Sequence, residues 1–73
     1  MATSRPWKIV FVTPGGRSEK KYRSRPALLR AAAEHRQDIA NGFSRTVRMS
    51  AYWWDADREA WVLHEQLPIA DDA

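Results

Sequence analysis

The sequence predicts a small domain of the α/β (α+β) class, in which one helix packs on one face of a three-stranded mixed sheet in the order β-α-β-β. Three observations lead to this fold. Residues 7–13 combine β-branched and aromatic side chains, residues 24–40 space their apolar side chains as a helix does, and residues 45–67 alternate like a hairpin. With 73 residues and no cysteine, the chain has room for a single core that no disulfide reinforces.

The ends of the chain differ in composition from its middle. Residues 1–6 form a polar leader, residues 7–68 the single domain and residues 69–73 an acidic tail, and we expect both the leader and the tail to be flexible. The leader lacks the apolar stretch of a secretory signal, and no apolar run approaches the roughly 18 residues of a membrane span. We therefore expect a cytoplasmic protein with no membrane partner.

The first strand is predicted at residues 7–13, where a turn at Pro14-Gly15 closes it. Proline favours the first central position of a type II turn, and the glycine after it accepts the positive φ of the second. Apolar side chains occupy both faces of this strand. This pattern predicts a strand that is central in the sheet or covered on both sides.

A helix is predicted from Ser24 to Ala40. The Ser24 hydroxyl can accept from the free backbone N–H groups, Pro26 stands in the first turn where its missing donor costs nothing, and Asn41-Gly42 supplies a left-handed stop. The predicted buried stripe consists of Leu28, Ala32, His35 and Ile39. A crossover through this helix predicts that the strands before and after it run parallel.

The predicted hairpin at residues 45–67 holds three of the four tryptophans and one of the two tyrosines. Its alternation places Trp53 opposite Trp61 with both rings toward the helix, and Asp55 starts the turn because its carboxylate can accept from nearby backbone N–H groups. The other face, predicted as an interface or stacking surface, carries Tyr52, Trp54, Val62 and His64. One helix leaves that face uncovered, and apolar patches of such size mark interaction sites.

Positive charge concentrates in the first two thirds of the chain. Residues 1–48 hold eleven of the twelve basic side chains and three acids, a net charge of +8, whereas residues 49–73 carry −5. The densest cluster spans residues 17–25, where cations can bind phosphates while a ring stacks on a base. The candidate nucleic-acid-binding residues are Arg17, Lys20, Lys21, Tyr22, Arg23, Arg25, Arg45 and Arg48. Two other interpretations stay open: a solvated loop, or a short edge strand at residues 20–23 whose cations discourage pairing between sheets.

Patterns typical of catalysis or metal binding are weak. The glycine pair after the first strand lacks the spacing of a phosphate-binding loop. Asp55, Asp57 and Glu59 begin like a calcium loop, but alanine stands where the sixth position needs glycine and glutamine where the twelfth needs glutamate. His35 has no nucleophile or second histidine at helical spacing. We expect no enzymatic activity, cofactor, metal or small-molecule substrate.

These features favour a small non-enzymatic protein that binds nucleic acid in an accessory or regulatory role, through the basic segment and the exposed rings. The alternative is a homodimeric protein-interaction or adaptor module, in which the Tyr52 and Trp54 face packs on its counterpart in a second copy. A third arrangement, in which the leader and Tyr22 fold over the second face, leaves no such surface.

Overall fold

The computed structural model describes residues 4–70, which form four strands and one helix in the order β-β-α-β-β. The elements are β1 (Trp7–Thr13), β2 (Gly16–Tyr22), α1 (Arg25–Ala40), β3 (Arg48–Asp55) and β4 (Ala60–Leu67). The strands form one antiparallel sheet in the order β2-β1-β3-β4. The prediction of a small α+β domain with one helix is confirmed, whereas the predicted three-stranded mixed sheet is wrong.

The additional strand is β2, which occupies most of the basic segment at residues 17–25. Six of its seven residues are exposed, because β2 is an edge strand and little of it contacts the core. It therefore lacks the apolar alternation that identifies a half-buried strand. The edge strand considered for residues 20–23 exists, and it begins earlier, at Gly16.

Of the predictions for the two hairpin turns, one is wrong and one is confirmed. In the β1-β2 turn the positive φ of 145° belongs to Gly16 rather than to Gly15, so the predicted type II turn is wrong. In the β3-β4 turn, Oδ1 of Asp55 accepts hydrogen bonds from the backbone N–H groups of Asp57 and Arg58, at 3.0 and 3.3 Å. The predicted role of Asp55 is confirmed.

β1 and β3 are antiparallel, although a strand-helix-strand crossover predicts parallel neighbours. The physical reason is β2, because it turns the chain back once before the helix. The chain then returns to the sheet in the direction opposite to β1. β1 lies between β2 and β3, which confirms its predicted central position.

α1 begins and ends where the sequence predicts. Oγ of Ser24 accepts a hydrogen bond from the backbone N–H of Ala27 at 3.3 Å, and a proline stands in the first turn. After the last turn Gly42 adopts a φ of 80°, a conformation that glycine takes without steric cost. These two ends determine which helix residues face the sheet.

The core lies between α1 and one face of the sheet, which we call the helix face. Its buried apolar side chains are Ile9, Leu28, Ala32, Met49, Ala51 and Leu67. The partly buried side chains that pack around them are Trp7, Phe11, Tyr22, Leu29 and Ile69. His35 and Ile39 of the predicted stripe are half-buried. Because α1 lies over β1 and β2, it covers one side of the sheet and leaves the other without a helix.

A β-bulge in β4 decides which side chains reach each face. Ala51 pairs with Glu65, but the next residue, Tyr52, pairs with Leu63, so His64 is an extra residue in β4. Side chains alternate between the two faces along a strand. On one side of the bulge, every β4 residue therefore lies on the face opposite to the one that it would occupy if the same residues formed a regular strand.

The predicted pairing of the two hairpin tryptophans is wrong as a result. Trp53 pairs with Val62, and Trp54 pairs with Trp61. Directly paired residues share a face, so Trp61 lies with Trp54 on the side away from the helix. Neither Trp53, which is 37% exposed, nor Trp61 belongs to the buried core.

Both ends of the described chain contact the sheet or the core. The carbonyl of Pro6 accepts a hydrogen bond from the backbone N–H of Trp54 at 2.7 Å, and Ile69 packs against the core. Residues 1–3 of the predicted leader and 71–73 of the predicted tail lie outside the described residues. Within residues 4–70, no helix has the length and apolar character needed to cross a membrane.

Replacing Leu28 by alanine should lower the free energy of unfolding by about 2–5 kcal/mol, because a fully buried leucine leaves a cavity when truncated. The matched control is Leu63→Ala, since Leu63 is 50% exposed on the opposite face of the sheet. Urea denaturation followed by circular dichroism measures both losses. Equal losses in the two variants would contradict the position of the core.

Candidate nucleic-acid interface

The face of the sheet opposite α1, which we call the open face, carries alternate residues of all four strands. The register assigns each residue to it, because side chains alternate along a strand and paired residues share a face. Its residues are Arg17, Glu19 and Lys21 of β2, Lys8, Val10 and Val12 of β1, Arg48, Ser50, Tyr52 and Trp54 of β3, and Trp61, Leu63 and Gln66 of β4. The open face thus combines three aromatic rings with four cations and one acid.

The three aromatic side chains form a cluster. Trp54 and Trp61 pair across β3 and β4, and their ring centroids are 5.3 Å apart in an edge-to-face arrangement. Tyr52 lies on the same face two residues before Trp54. All three side chains are half-buried, so part of their surface stays accessible. Such rings offer a large contact area that is already held in place.

Lys8 lies beside this cluster at the centre of the sheet. Its ammonium group is 4.4 Å from the ring centroid of Trp61, 5.5 Å from that of Tyr52 and 3.3 Å from Oε2 of Glu19. Only 8% of Lys8 is exposed. A buried charge needs compensation, and here one carboxylate and two ring faces supply it. Lys8 therefore orients the rings instead of presenting its charge to a ligand.

The exposed cations of the open face lie on both sides of β1. Lys21 belongs to β2, and its ammonium group is 5.7 Å from the ring centroid of Trp61. Further along the sheet, Val12 pairs with Arg17 on one side and with Arg48 on the other. Neighbouring strands are about 4.8 Å apart, so the backbones of these two arginines are separated by roughly 10 Å. Exposed positive charges therefore border the aromatic cluster and continue along the sheet.

The fold divides the predicted site residues between several surfaces. The open face brings together Arg17, Lys21, Arg48, Tyr52 and Trp54. The helix face takes Lys20, Tyr22, Val62 and His64. The residues that lie outside the strands are Arg23, Arg25 and Arg45. Of these, Arg25 forms an ion pair with Glu65, with 2.8 Å between Nη2 and Oε1, and joins the start of α1 to β4.

Val62 and His64 were predicted on the same face as Tyr52, and that prediction is wrong. Val62 pairs with Trp53 on the helix face. The ring of His64 meets the ring of Trp7 edge-on, with centroids 5.3 Å apart. The physical reason is the bulge, which moves this part of β4 by one residue relative to a regular alternation.

Sequence reasoning missed Lys8, Trp61 and Leu63 as members of the candidate site. The place of Lys8 could have been found from its sequence context, an isolated lysine between apolar residues of a central strand. Such a charge must find partners inside the sheet. For Trp61 and Leu63 the signal was Glu65, which interrupts the apolar alternation of β4 next to the bulge. A broken alternation in a strand is typical of a bulge.

A recess of about 530 Å³ lies on the helix face, between α1 and β2. Its lining includes Phe11 and Tyr22 of the sheet and Glu34, His35 and Asp38 of the helix. Burial, and then the nearby carboxylate of Glu34, raise the pKa of Tyr22 above the ordinary value of 10.0. The helix wall of the recess therefore carries negative charge close to the phenol of Tyr22.

His35 connects α1 to the segment that precedes β3. Its Nε2 atom is 2.8 Å from Oγ1 of Thr46 and 3.1 Å from Oγ of Ser44, and the two hydroxyl oxygens are 2.8 Å apart. The ring also packs on Phe11, with centroids 4.5 Å apart. Helical spacing did not identify these hydroxyl groups, because they come from another segment of the chain. The network anchors residues 44–46 to the helix.

Comparisons of this chain with protein-family models, with curated proteins and with solved structures found no match. The part of the chain that the structure describes contains no group of three or more histidine, aspartate or glutamate side chains placed to hold a metal ion.

The raised pKa of Tyr22 predicts a loss of stability at high pH. Its neutral phenol stabilises the folded state fully below the unfolded pKa of about 10, and this contribution is lost as the pH rises through the higher folded pKa. The free energy of unfolding should therefore fall more steeply between about pH 9 and about pH 12 in the parent protein than in Tyr22→Phe. Urea titrations across that range measure the difference. Tyr52→Phe is the control, and a steep fall that persists in Tyr22→Phe would contradict the assignment.

Proposed function

We propose that this protein binds single-stranded nucleic acid through the open face of its sheet, in a non-enzymatic accessory or regulatory role. One observation carries the proposal: the rings of Tyr52, Trp54 and Trp61 share an uncovered sheet face with exposed cations. Each part of this arrangement matches one part of a nucleic-acid strand.

The aromatic cluster is suited to unpaired bases. Every base has a π-face, and stacking on an aromatic side chain contributes about 1–3 kcal/mol per base. In a duplex these faces are already stacked on one another, so a ring on a sheet has no access to them. The half-buried rings of Tyr52, Trp54 and Trp61 therefore favour single strands over duplexes.

The exposed cations are suited to the phosphates of the same strand. Lys21 borders the aromatic cluster, whereas Arg17 and Arg48 flank β1 at Val12. Four residues of strand separate the two groups of cations, which corresponds to roughly 13 Å along the sheet. A nucleic acid that stacks on the rings can thus reach the arginines with its backbone. The one acid on the face, Glu19, is already paired with a cation.

The indole N–H of Trp54 favours a movement of its ring when a ligand binds. Its indole N–H is buried and has no hydrogen-bond partner among residues 4–70. Leaving such a donor unpaired costs about 1–3 kcal/mol. A base that draws the ring outward gives this N–H an acceptor, so binding relieves that cost. The change in environment should also alter tryptophan fluorescence.

Lys21→Glu should weaken binding of a fluorescent twelve-nucleotide oligo(U) or oligo(dT) by at least about tenfold at low salt, because it replaces a phosphate contact by a repulsion. Lys20→Glu is the matched control. It changes the net charge equally at the neighbouring position of β2, but its side chain lies on the helix face. Fluorescence anisotropy at about 50 and about 200 mM salt measures both variants.

Equal losses in Lys20→Glu and Lys21→Glu would mean that net charge alone attracts the oligonucleotide, which would contradict binding by the open face. Absence of binding by the parent protein at low salt would contradict the proposal as a whole. A duplex of the same length provides the remaining comparison, and tighter binding of the duplex would contradict the stacking argument.

A homodimeric interaction module is the second candidate function, and one observation favours it. Leu63 is 50% exposed on the open face, next to the aromatic cluster. A second copy packed face to face would bury it. The same packing brings the exposed cations of two identical faces together, which costs electrostatic energy. We therefore rank the homodimer below nucleic-acid binding.

Light scattering of the purified protein separates the two candidates. We expect a mass near 8.4 kDa, because like charges on the open face oppose self-association. A mass of twice that value, returning to 8.4 kDa in Leu63→Lys, would establish the homodimer instead. Removal of bound nucleic acid with nuclease and high salt before the measurement keeps a bridging strand from raising the mass.

A further inference from the structure

β2 forms one edge of the sheet, and it borders the recess beneath α1. In an edge strand every second residue directs its backbone N–H and C=O groups away from the sheet. Six of the seven residues of β2 are exposed. These backbone groups are therefore available to an additional strand.

The recess runs along this edge. Its strand wall includes Ser18, Lys20 and Tyr22, and its helix wall includes Ala31, Glu34 and Asp38. Four steps along the strand cover roughly 13 Å, and seven steps along the helix cover about 10 Å. These lengths match three or four residues of extended chain. The volume of about 530 Å³ lies within the range of ligand-binding sites.

The two walls of the recess differ in charge. Glu34 and Asp38 lie one turn apart on the helix wall, and within residues 4–70 no ion pair joins either carboxylate to another side chain. Glu34 also contributes to the raised pKa of Tyr22, which places its charge close to the recess. The strand wall holds Lys20 and also Glu19, whose carboxylate is already paired with Lys8. A basic group is therefore best accommodated on the helix side.

We propose that the edge of β2 and this recess form a docking site for an extended peptide segment of a partner protein, which adds a fifth strand and directs a lysine or arginine side chain toward Glu34 and Asp38. Main-chain hydrogen bonds to β2 supply affinity, and the recess selects alternate side chains. The side chains between them point to the other side of the sheet, beside Arg17 and Lys21, which favours acidic residues there.

Other occupants use these features less completely. A second copy of β2 paired antiparallel about Glu19 would place Arg17 opposite Lys21 and Glu19 opposite its own counterpart, and like charges are unfavourable in paired strands. A small organic cation could neutralise Glu34 and Asp38 but would leave the backbone edge unpaired. The peptide alone accounts for both the edge and the charged wall, and its site does not depend on the aromatic cluster of the open face.

Selection of a phage-displayed library of random octapeptides on the full chain tests this proposal. Ala31→Arg is the blocked variant, because an arginine on the helix wall fills the recess and repels a basic side chain. Ala33→Arg is the matched control. It makes the same substitution in the same helix, at an exposed position that does not line the recess. Circular dichroism checks that both variants keep their fold.

We expect the parent protein and Ala33→Arg to enrich the same peptides, with lysine or arginine at alternate positions and without proline. Ala31→Arg should bind the enriched peptides at least tenfold more weakly. Two synthetic copies of an enriched peptide carry N-methyl groups on one or the other set of alternate backbone nitrogens. The copy whose methylated nitrogens face β2 should not bind the parent, because N-methylation removes main-chain donors. This measurement decides the question even if Ala31→Arg fails to fold.

Any one of four outcomes would overturn the proposal. In three of them the library shows no enrichment on the parent protein, the enriched peptides bind Ala31→Arg as tightly as Ala33→Arg, or both N-methylated copies of the peptide bind undiminished. Free arginine that displaces the peptides completely at equal concentration would also overturn it, since the backbone edge would then contribute nothing.

Discussion

The ammonium group of Lys8 connects all four strands of the sheet. Lys8 belongs to β1, and its charge meets the carboxylate of Glu19 on β2 and the rings of Tyr52 on β3 and Trp61 on β4. A nearly buried cation on a face without a helix would be costly if any of these partners were absent. The strand order and the orientation of the aromatic cluster are thus linked through the side chain of Lys8. An apolar residue could fill the volume of Lys8 but would not make these contacts.

The shape of the rest of the molecule follows from having one helix for four strands. α1 covers the helix face over β1 and β2, so the open face must be stabilised by the side chains of the sheet itself. Aromatic rings and the long stem of Lys8 shield the backbone there, because they cover much area per residue. This leaves the two surfaces with different chemistry: cations and rings on the open face, and carboxylates on the helix wall of the recess.

Features that depend on neighbouring residues could be predicted from the sequence. The cap at Ser24, the stop at Gly42 and the turn at Asp55 are local, and all three form as expected. β2 could be predicted only as one alternative at residues 20–23, because an exposed edge strand carries no apolar alternation. The faces of Trp61 and His64 could not be predicted either, since they depend on a register that a single bulge changes. Of the seven predicted cations, Arg17, Lys21 and Arg48 lie on the open face. The aromatic half of the site gained Trp61 and lost His64.

The bulge at His64 also determines how β4 responds to evolutionary change. A substitution at that position alters one side chain beside Trp7. A deletion of His64 would remove the bulge and leave the pairs between β3 and β4 in place, because Ala51 already pairs with Glu65 and Tyr52 with Leu63. Trp61 would stay on the open face, where its ring contacts Lys8. β4 can thus lose one residue at the bulge without exchanging its two faces, so a deletion should be tolerated at His64 and not at the paired positions of this strand.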